Sequence, residues 1–374
     1  MVDVEIIGGG LAGWRAAQAA ADDGATVRIV ANGRGNSPEI HALNCPVHPD
    51  DSVELYIEDT MRSGKGTNDR ALVETLCRGA VALKDEFPFD RDADGSYLAL
   101  RTLGASVPRC VSISHAIGEY ALRDIQRKLD GRVEFVEGRV EKIDFSGTRA
   151  IVLATGGWCG KYAFSTNPPY LRGDGIEMAR AIGAAVRDMD KVQYEPTVAL
   201  APPQLCGVPV ITTMLHEGAT FRNADGKEFI SNPRMDKDEL SRVIFAEIEA
   251  GRGVDGGVYY DATGVPGDVL GGRYGATYAR YAAAGVDISK EPMLVAPAPH
   301  TSLGGLVIDT RCRVLDANGA PIPGLFAAGE VTGGLHGSNR LGGNAGTETL
   351  VFGKIAGESA AAFAKDKRQP ETRQ

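Results

Sequence analysis

Near its N-terminus the chain runs from an apolar stretch, residues 4–7, straight into Gly8-Gly9-Gly10-Leu11-Ala12-Gly13 and then an alanine-rich stretch, residues 14–21. That order predicts strand, turn and helix, and a second β-branched run at 26–30, after Gly24, completes the spacing of a βαβ unit. Each glycine has a task. Gly8 allows the tight turn, Gly10 lets backbone approach a pyrophosphate, and Gly13 lets helix and strand pack closely. The unpaired N–H groups at the helix start, around Leu11 and Ala12, then face phosphate oxygens at the positive end of the helix dipole. The chain is therefore expected to be α/β, with a Rossmann-like dinucleotide-binding domain.

The carboxylate that usually holds the ribose at the end of the second strand is missing, because Val30 is followed by Ala31, Asn32 and Gly33. Either Asn32 substitutes as a neutral hydrogen-bond partner, or the ribose is held from elsewhere. A later apolar strand ends in Gly329-Glu330, and Glu330 is the candidate for that contact.

At 374 residues the chain predicts two domains. The first part of the dinucleotide domain is placed at 1–190, an inserted α+β domain at 191–299, and the returning part at 300–374. Forty-eight glycines, against a usual share of about 7%, gather in short motifs rather than a low-complexity tract. A net charge of −9 argues against nucleic-acid binding. No stretch is long and apolar enough to insert in a membrane and no signal peptide is legible, so a cytoplasmic location is expected. The six cysteines are scattered, without metal-site spacing, and no metal is expected.

Residues 51–83 carry helical spacing and predict two surface helices. Residues 132–140, 142–145 and 149–153 predict a small β excursion returning to the main sheet. The return closes on Ala154-Thr155-Gly156-Gly157, small residues where backbone again touches a dinucleotide. Residues 171–185 predict a turn and a helix, with Asp174 as an N-cap or first-turn carboxylate. Further helices are expected at 237–250 and 347–365.

Together these residues resemble the flavoprotein family of fumarate reductase, succinate dehydrogenase and L-aspartate oxidase. The resemblance covers nearly the whole chain. It is carried by the N-terminal glycines, Glu58-Asp59-Thr60, Ala154-Thr155-Gly156-Gly157, Gly173-Asp174-Gly175-Ile176, Gln193-Tyr194-Glu195-Pro196-Thr197, His300-Thr301-Ser302-Leu303-Gly304-Gly305, and the string from Gly329-Glu330 through His336-Gly337-Ser338-Asn339-Arg340-Leu341-Gly342-Gly343-Asn344.

The resemblance implies a FAD domain of the glutathione-reductase type, with two dinucleotide motifs, interrupted by a mobile capping domain that holds substrate over the flavin. It implies hydride exchange between flavin N5 and a carbon beside a carboxylate. The FAD contacts carried over are Gly8, Gly10, Leu11, Ala12, Gly13, Asn32, Ala154, Thr155, Gly156, Asp174, Glu330, Arg340, Asn344, Ala345 and Gly346, with Val140 reaching the adenine through strand backbone. His41, Ala42 and Asn44 belong to the stretch near the flavin; His41 is the place a covalent link would form, and noncovalent FAD is expected. His300 and Arg340 fall at the positions that bind a substrate carboxylate.

Two positions depart from the pattern. Glu195 stands where the family usually has histidine, which disfavours a simple dicarboxylate. It suits a substrate with an amine or hydroxyl at its far end, unless Glu195 is instead paired with a basic residue of its own domain. Lys237 stands where the family has its proton-transferring arginine; Arg242 or Arg234 are alternatives. A small carboxylate substrate and an electron donor or acceptor of unknown identity are implied, with the oligomeric state open. The family's helical C-terminal domain is not seen, which disfavours a role within a respiratory complex. The alternatives are an L-aspartate oxidase-like amino-acid oxidase and a flavin-binding electron relay without its own substrate site.

Overall fold

The computed structural model describes residues 1–232, 235–272 and 274–368. The chain divides into two compact units, one of residues 1–161, 168–191 and 302–374, the other of 162–167 and 192–301. The short segment 162–167 and residues 300–301 thus group with the inserted unit, not with the dinucleotide domain to which sequence assigns them.

The first unit is built on β1 (Val2–Ile7), whose mostly buried side chains suit the centre of a parallel sheet covered on both faces. α1 (Leu11–Asp22) follows, then β2 (Val27–Ala31). The sheet runs in the order Arg313–Leu315, Pro321–Ala327, Thr148–Leu153, β1, β2, Glu134–Glu137. All neighbours are parallel except the Arg313–Leu315 edge. Ile7 is flanked by Val30 and Leu153, so the three strands finish level with one another.

α1 packs against the long helix Asn344–Arg368, and small residues set how closely. A Cβ on Gly357 would lie 2.1 Å from the carbonyl oxygen of Ala16, and one on Gly353 would lie 2.8 Å from that of Ala12. Glycines one turn apart let the backbones touch; Gly357 faces Ala16 and Ala19 of α1, and Gly353 faces Ala12 and the stem of the Arg15 side chain.

Three expectations are corrected. The supposed β excursion is not one: Glu134–Glu137 is the outer edge of the main sheet, paired with β2, and residues 142–144 form no strand. Charged residues and the Asp144–Ser146 turn, in which Asp144 accepts from the Ser146 N–H at 2.8 Å, end any extended run there. The segment 51–83 forms helices Val53–Ser63 and Arg70–Ala80, capped by Ser52 and Asp69. They are more than surface cover, because Tyr56, Leu72, Val73 and Leu76 are buried in the core. The helix Asp174–Arg180 also stops short of the expected 185, since Gly183 takes a left-handed φ of 95°.

The second unit has a four-stranded sheet in the order Val192–Ala199, Met293–Ser302, Val258–Asp261, Thr220–Arg222. Helix Lys237–Glu247 packs on the first of these strands, and Phe221, Tyr260 and Tyr281 fill the core. Where the chain leaves and re-enters the first unit, the Leu303 N–H donates to the Lys191 carbonyl at 3.1 Å.

Candidate functional site

In the first unit the glycine turn is dictated by space. Gly8 has φ 126°, and a Cβ on it would lie 2.2 Å from the Ala154 oxygen; one on Gly13 would lie 2.1 Å from the Gly8 oxygen. Only glycine fits at either place. Among the described residues, a Cβ on Gly10 would lie 3.0 Å from Ser37 Oγ and 3.6 Å from the Arg34 carbonyl oxygen, so the loop after β2 runs close to this glycine. Leu11 and Ala12 begin the helix as buried residues. The Leu11 N–H donates to Ser37 Oγ at 2.8 Å, which corrects the expectation that it is unpaired and puts a hydroxyl at the start of the helix. Ser37 is not evident from sequence; its one signal is a hydroxyl within the glycine and asparagine loop after β2.

The second motif lies alongside. Ala154 bonds back to Ile7 (2.8 Å), Gly156 has φ 75°, and Thr155 Oγ1 is buried with no hydrogen-bond partner among the described residues. A cradle closed to side chains and an orphaned hydroxyl fit a dinucleotide. Glu330 accepts from the Ser302 N–H and hydroxyl, each at 2.8 Å. Burial pushes its carboxyl up to about 7. Glu330 is therefore held by Ser302, where sequence offers it only as a ribose contact.

Asn44 and Asn344 turn out to knit the unit together. Asn344 Oδ1 accepts from Tyr56 Oη and Asn44 Nδ2, each at 2.7 Å, and Asn344 Nδ2 donates to Thr60 Oγ1. Beneath them Arg109 is sealed between Asp51 and Asp59, an ion cluster invisible in sequence because its members lie up to 58 positions apart. Gly346 packs on Leu43, and Ala345 and Ala42 are half-buried. Asn32 and His41 are exposed, and His41 Nδ1 lies 3.0 Å from the His115 carbonyl oxygen. Asp174 is the first residue of its helix, after Gly173 at the cap, and pairs with Arg139 at 2.7 Å. Val140 lies beyond the strand end at Glu137, so its expected place on a strand is corrected. Arg340 is buried in this unit.

In the second unit, Glu195 on the Val192–Ala199 strand is 5% exposed. Lys237 Nζ, from the first residue of its helix, contacts Glu195 Oε2, and Thr212 Oγ1 donates to Oε1 at 3.0 Å. Burial alone would raise the Glu195 carboxyl, but the charges of Lys237 and His300 hold it below its ordinary range. Thr212 is itself fixed: its hydroxyl lies 2.7 Å from that of Thr197, and Tyr260 Oη donates to the preceding carbonyl, Ile211, at 3.0 Å. His300 Nδ1 lies 2.8 Å from Thr166 Oγ1. Of the alternatives to Lys237, Arg242 is exposed and pairs with Asp238, and Arg234 lies outside the described residues. Of the two readings left open for Glu195, the structure places it against a basic residue of its own unit.

Among the described residues no group of three His, Cys, Asp or Glu side chains could hold a metal, and no helix is long and apolar enough to cross a membrane.

Residues 3–122 and 119–345 match a family model described as FAD binding domain. One component of the CoM/CoB fumarate reductase from Methanothermobacter marburgensis is 36% identical over 402 residues, covering 96% of this chain and 72% of the relative. L-aspartate oxidase of Caulobacter vibrioides is 32% identical over 404 residues, covering 96% and 76%. The structure of quinol fumarate reductase FrdA from E. coli is similar at a TM-score of 0.86 and 26% identity, covering 99% of this chain and 72% of that one. The expectation against a role within a complex finds no support in a relative that is itself one component of a larger enzyme.

Proposed function

The chain belongs to the fumarate reductase and succinate dehydrogenase flavoprotein family and is a FAD-dependent oxidoreductase, and from that premise we propose that it reduces or oxidises a carbon–carbon bond beside the carboxylate of a small substrate. FAD, bound noncovalently, supplies hydride exchange at N5. His300 and Arg340 bind the substrate carboxylate; the planar guanidinium of Arg340 suits a two-point grip. In reduction the Lys237 ammonium delivers the proton to the carbon next to the one receiving hydride and regains it from solvent; in oxidation the neutral Lys237 amine takes that proton and passes it to solvent. Glu195, fixed by Thr212, aims the ammonium.

The observation that carries this reading is the Lys237–Glu195 pair, two departures from the family pattern that meet. Because the pair neutralises itself, Lys237 offers a second substrate carboxylate no uncompensated cation. A substrate with one carboxylate is favoured.

The test is to reduce the bound flavin without oxygen, add enoates with one carboxylate, fumarate and amino acids in turn, and follow flavin absorbance. Monocarboxylate enoates should reoxidise it fastest, and Lys237→Ala should keep the flavin and slow that step about a hundredfold or more. Equal or faster reoxidation by fumarate, or an unchanged rate in Lys237→Ala, overturns the proposal. Because L-aspartate oxidase is among the relatives, the oxidised protein is also offered amino acids; hydrogen peroxide formation would favour the oxidase. Reaction with none of these would favour an electron relay.

A further inference from the structure

In a βαβ dinucleotide fold the adenosine ribose lies at the carboxyl end of the second strand, where an acid usually receives it. Here that end is Ala31, Asn32 and Gly33, with no acid. The residue that occupies the space is Tyr170, from far along the chain. Its hydroxyl accepts from the Gly35 N–H at 3.2 Å. A Cβ on Gly33 would lie 2.8 Å from that hydroxyl and 3.0 Å from the ring carbon that bears it. Gly33 is thus small because Tyr170 lies on it.

The ring is displayed rather than buried, at 41% exposure, yet its backbone is fixed. The Leu171 N–H donates to the Pro168 carbonyl at 3.0 Å, the Gly160 N–H donates to the Leu171 carbonyl at 2.9 Å, and the Leu171 side chain is buried. Four residues on, Asp174 pairs with Arg139, just beyond the strand beside β2, and the Gly138 N–H of that same stretch donates to the Ala31 carbonyl at 3.0 Å. Residues 168–174 therefore lie along the carboxyl ends of two adjacent strands, with Tyr170 partly open to solvent. An exposed ring on a backbone already ordered loses little entropy on binding a flat partner.

We infer that Tyr170 binds the adenosine end of FAD, its ring stacking on the adenine and replacing the grip that a carboxylate on the ribose would give. Stacking of a base on an aromatic ring is indifferent to ionisation and needs no hydrogen-bond partner on the ribose, which fits a strand end without an acid. The inference concerns the cofactor only, and it stands whether or not the proposed reaction is right.

The test reads cofactor retention, not turnover. Flavin-loaded wild type, Tyr170→Phe and Tyr170→Ala are diluted, and released FAD is followed by its fluorescence; stripped protein is then reloaded in the presence of ADP. Tyr170→Phe, which keeps the ring, should hold FAD within about threefold of wild type. Tyr170→Ala should hold FAD about tenfold less tightly, and ADP should compete correspondingly less well. Should Tyr170→Ala fail to fold, as judged by circular dichroism, Tyr170→Leu serves in its place. Unchanged FAD and ADP affinities in the variant without a ring overturn the inference. So does an equal loss in Tyr170→Phe, which would make the hydroxyl a loop anchor and nothing more.

Discussion

Glu195 and Lys237 share one small neighbourhood, so removing either charge changes what the other offers a substrate. Glu195→His leaves Lys237 without its anion and adds a group that can itself be cationic. The affinity for fumarate, read from the concentration dependence of flavin reoxidation, should rise at least about tenfold; no rise would refute the charge argument. The pair also has a pH window. Glu195 ionises more readily folded than unfolded, so its contribution to stability is complete above the ordinary carboxylate range and is lost as pH falls through the lowered folded value. At this scale sequence is informative where the chemistry is local, as in Gly8 to Gly13, whose spacing is itself the motif. Glu195 and Lys237 each stand out singly, but their union, 42 positions apart, needs the fold. Ser37 and Tyr170 carry no motif at all; only proximity gives them meaning.

At the scale of elements, the contact between α1 and the Asn344–Arg368 helix depends on missing side chains. Gly357→Ala would drive a methyl group onto the Ala16 carbonyl and should cost about 1–3 kcal/mol of unfolding free energy, measured by denaturant titration. Gly275→Ala makes a control, because among the described residues, its chain neighbours aside, nothing lies within 4 Å of its added methyl. It should be neutral or slightly stabilising. A loss at Gly275 equal to that at Gly357 would show that the helix contact is not the cause. The elements of the first unit are mostly legible in sequence, since buried parallel strands are continuous apolar runs. The edge strand Glu134–Glu137 is not, because all four of its residues are exposed, and exposure mimics a solvated hairpin.

At the scale of the whole molecule, flavin should stabilise the two units unequally. Saturation with FAD at a concentration about a hundredfold above its dissociation constant should add about 2.7 kcal/mol to whatever folding unit holds it. Hydrogen exchange is expected to slow around residues 8–13 and 154–157, with little change in the strands Thr220–Arg222 and Val258–Asp261. Equal protection of both sets would mean that the units unfold as one.

For its long excursion the chain departs from the first unit at Lys191 and rejoins it at Ser302, and a backbone hydrogen bond from the next residue, Leu303, to Lys191 holds exit and entry together. A scaffold with neighbouring exit and entry points can accept a different insert with little rebuilding of its own sheet. Novelty in what such an oxidoreductase acts upon can thus arise by exchanging one cassette, while the half that carries the redox ring is inherited untouched.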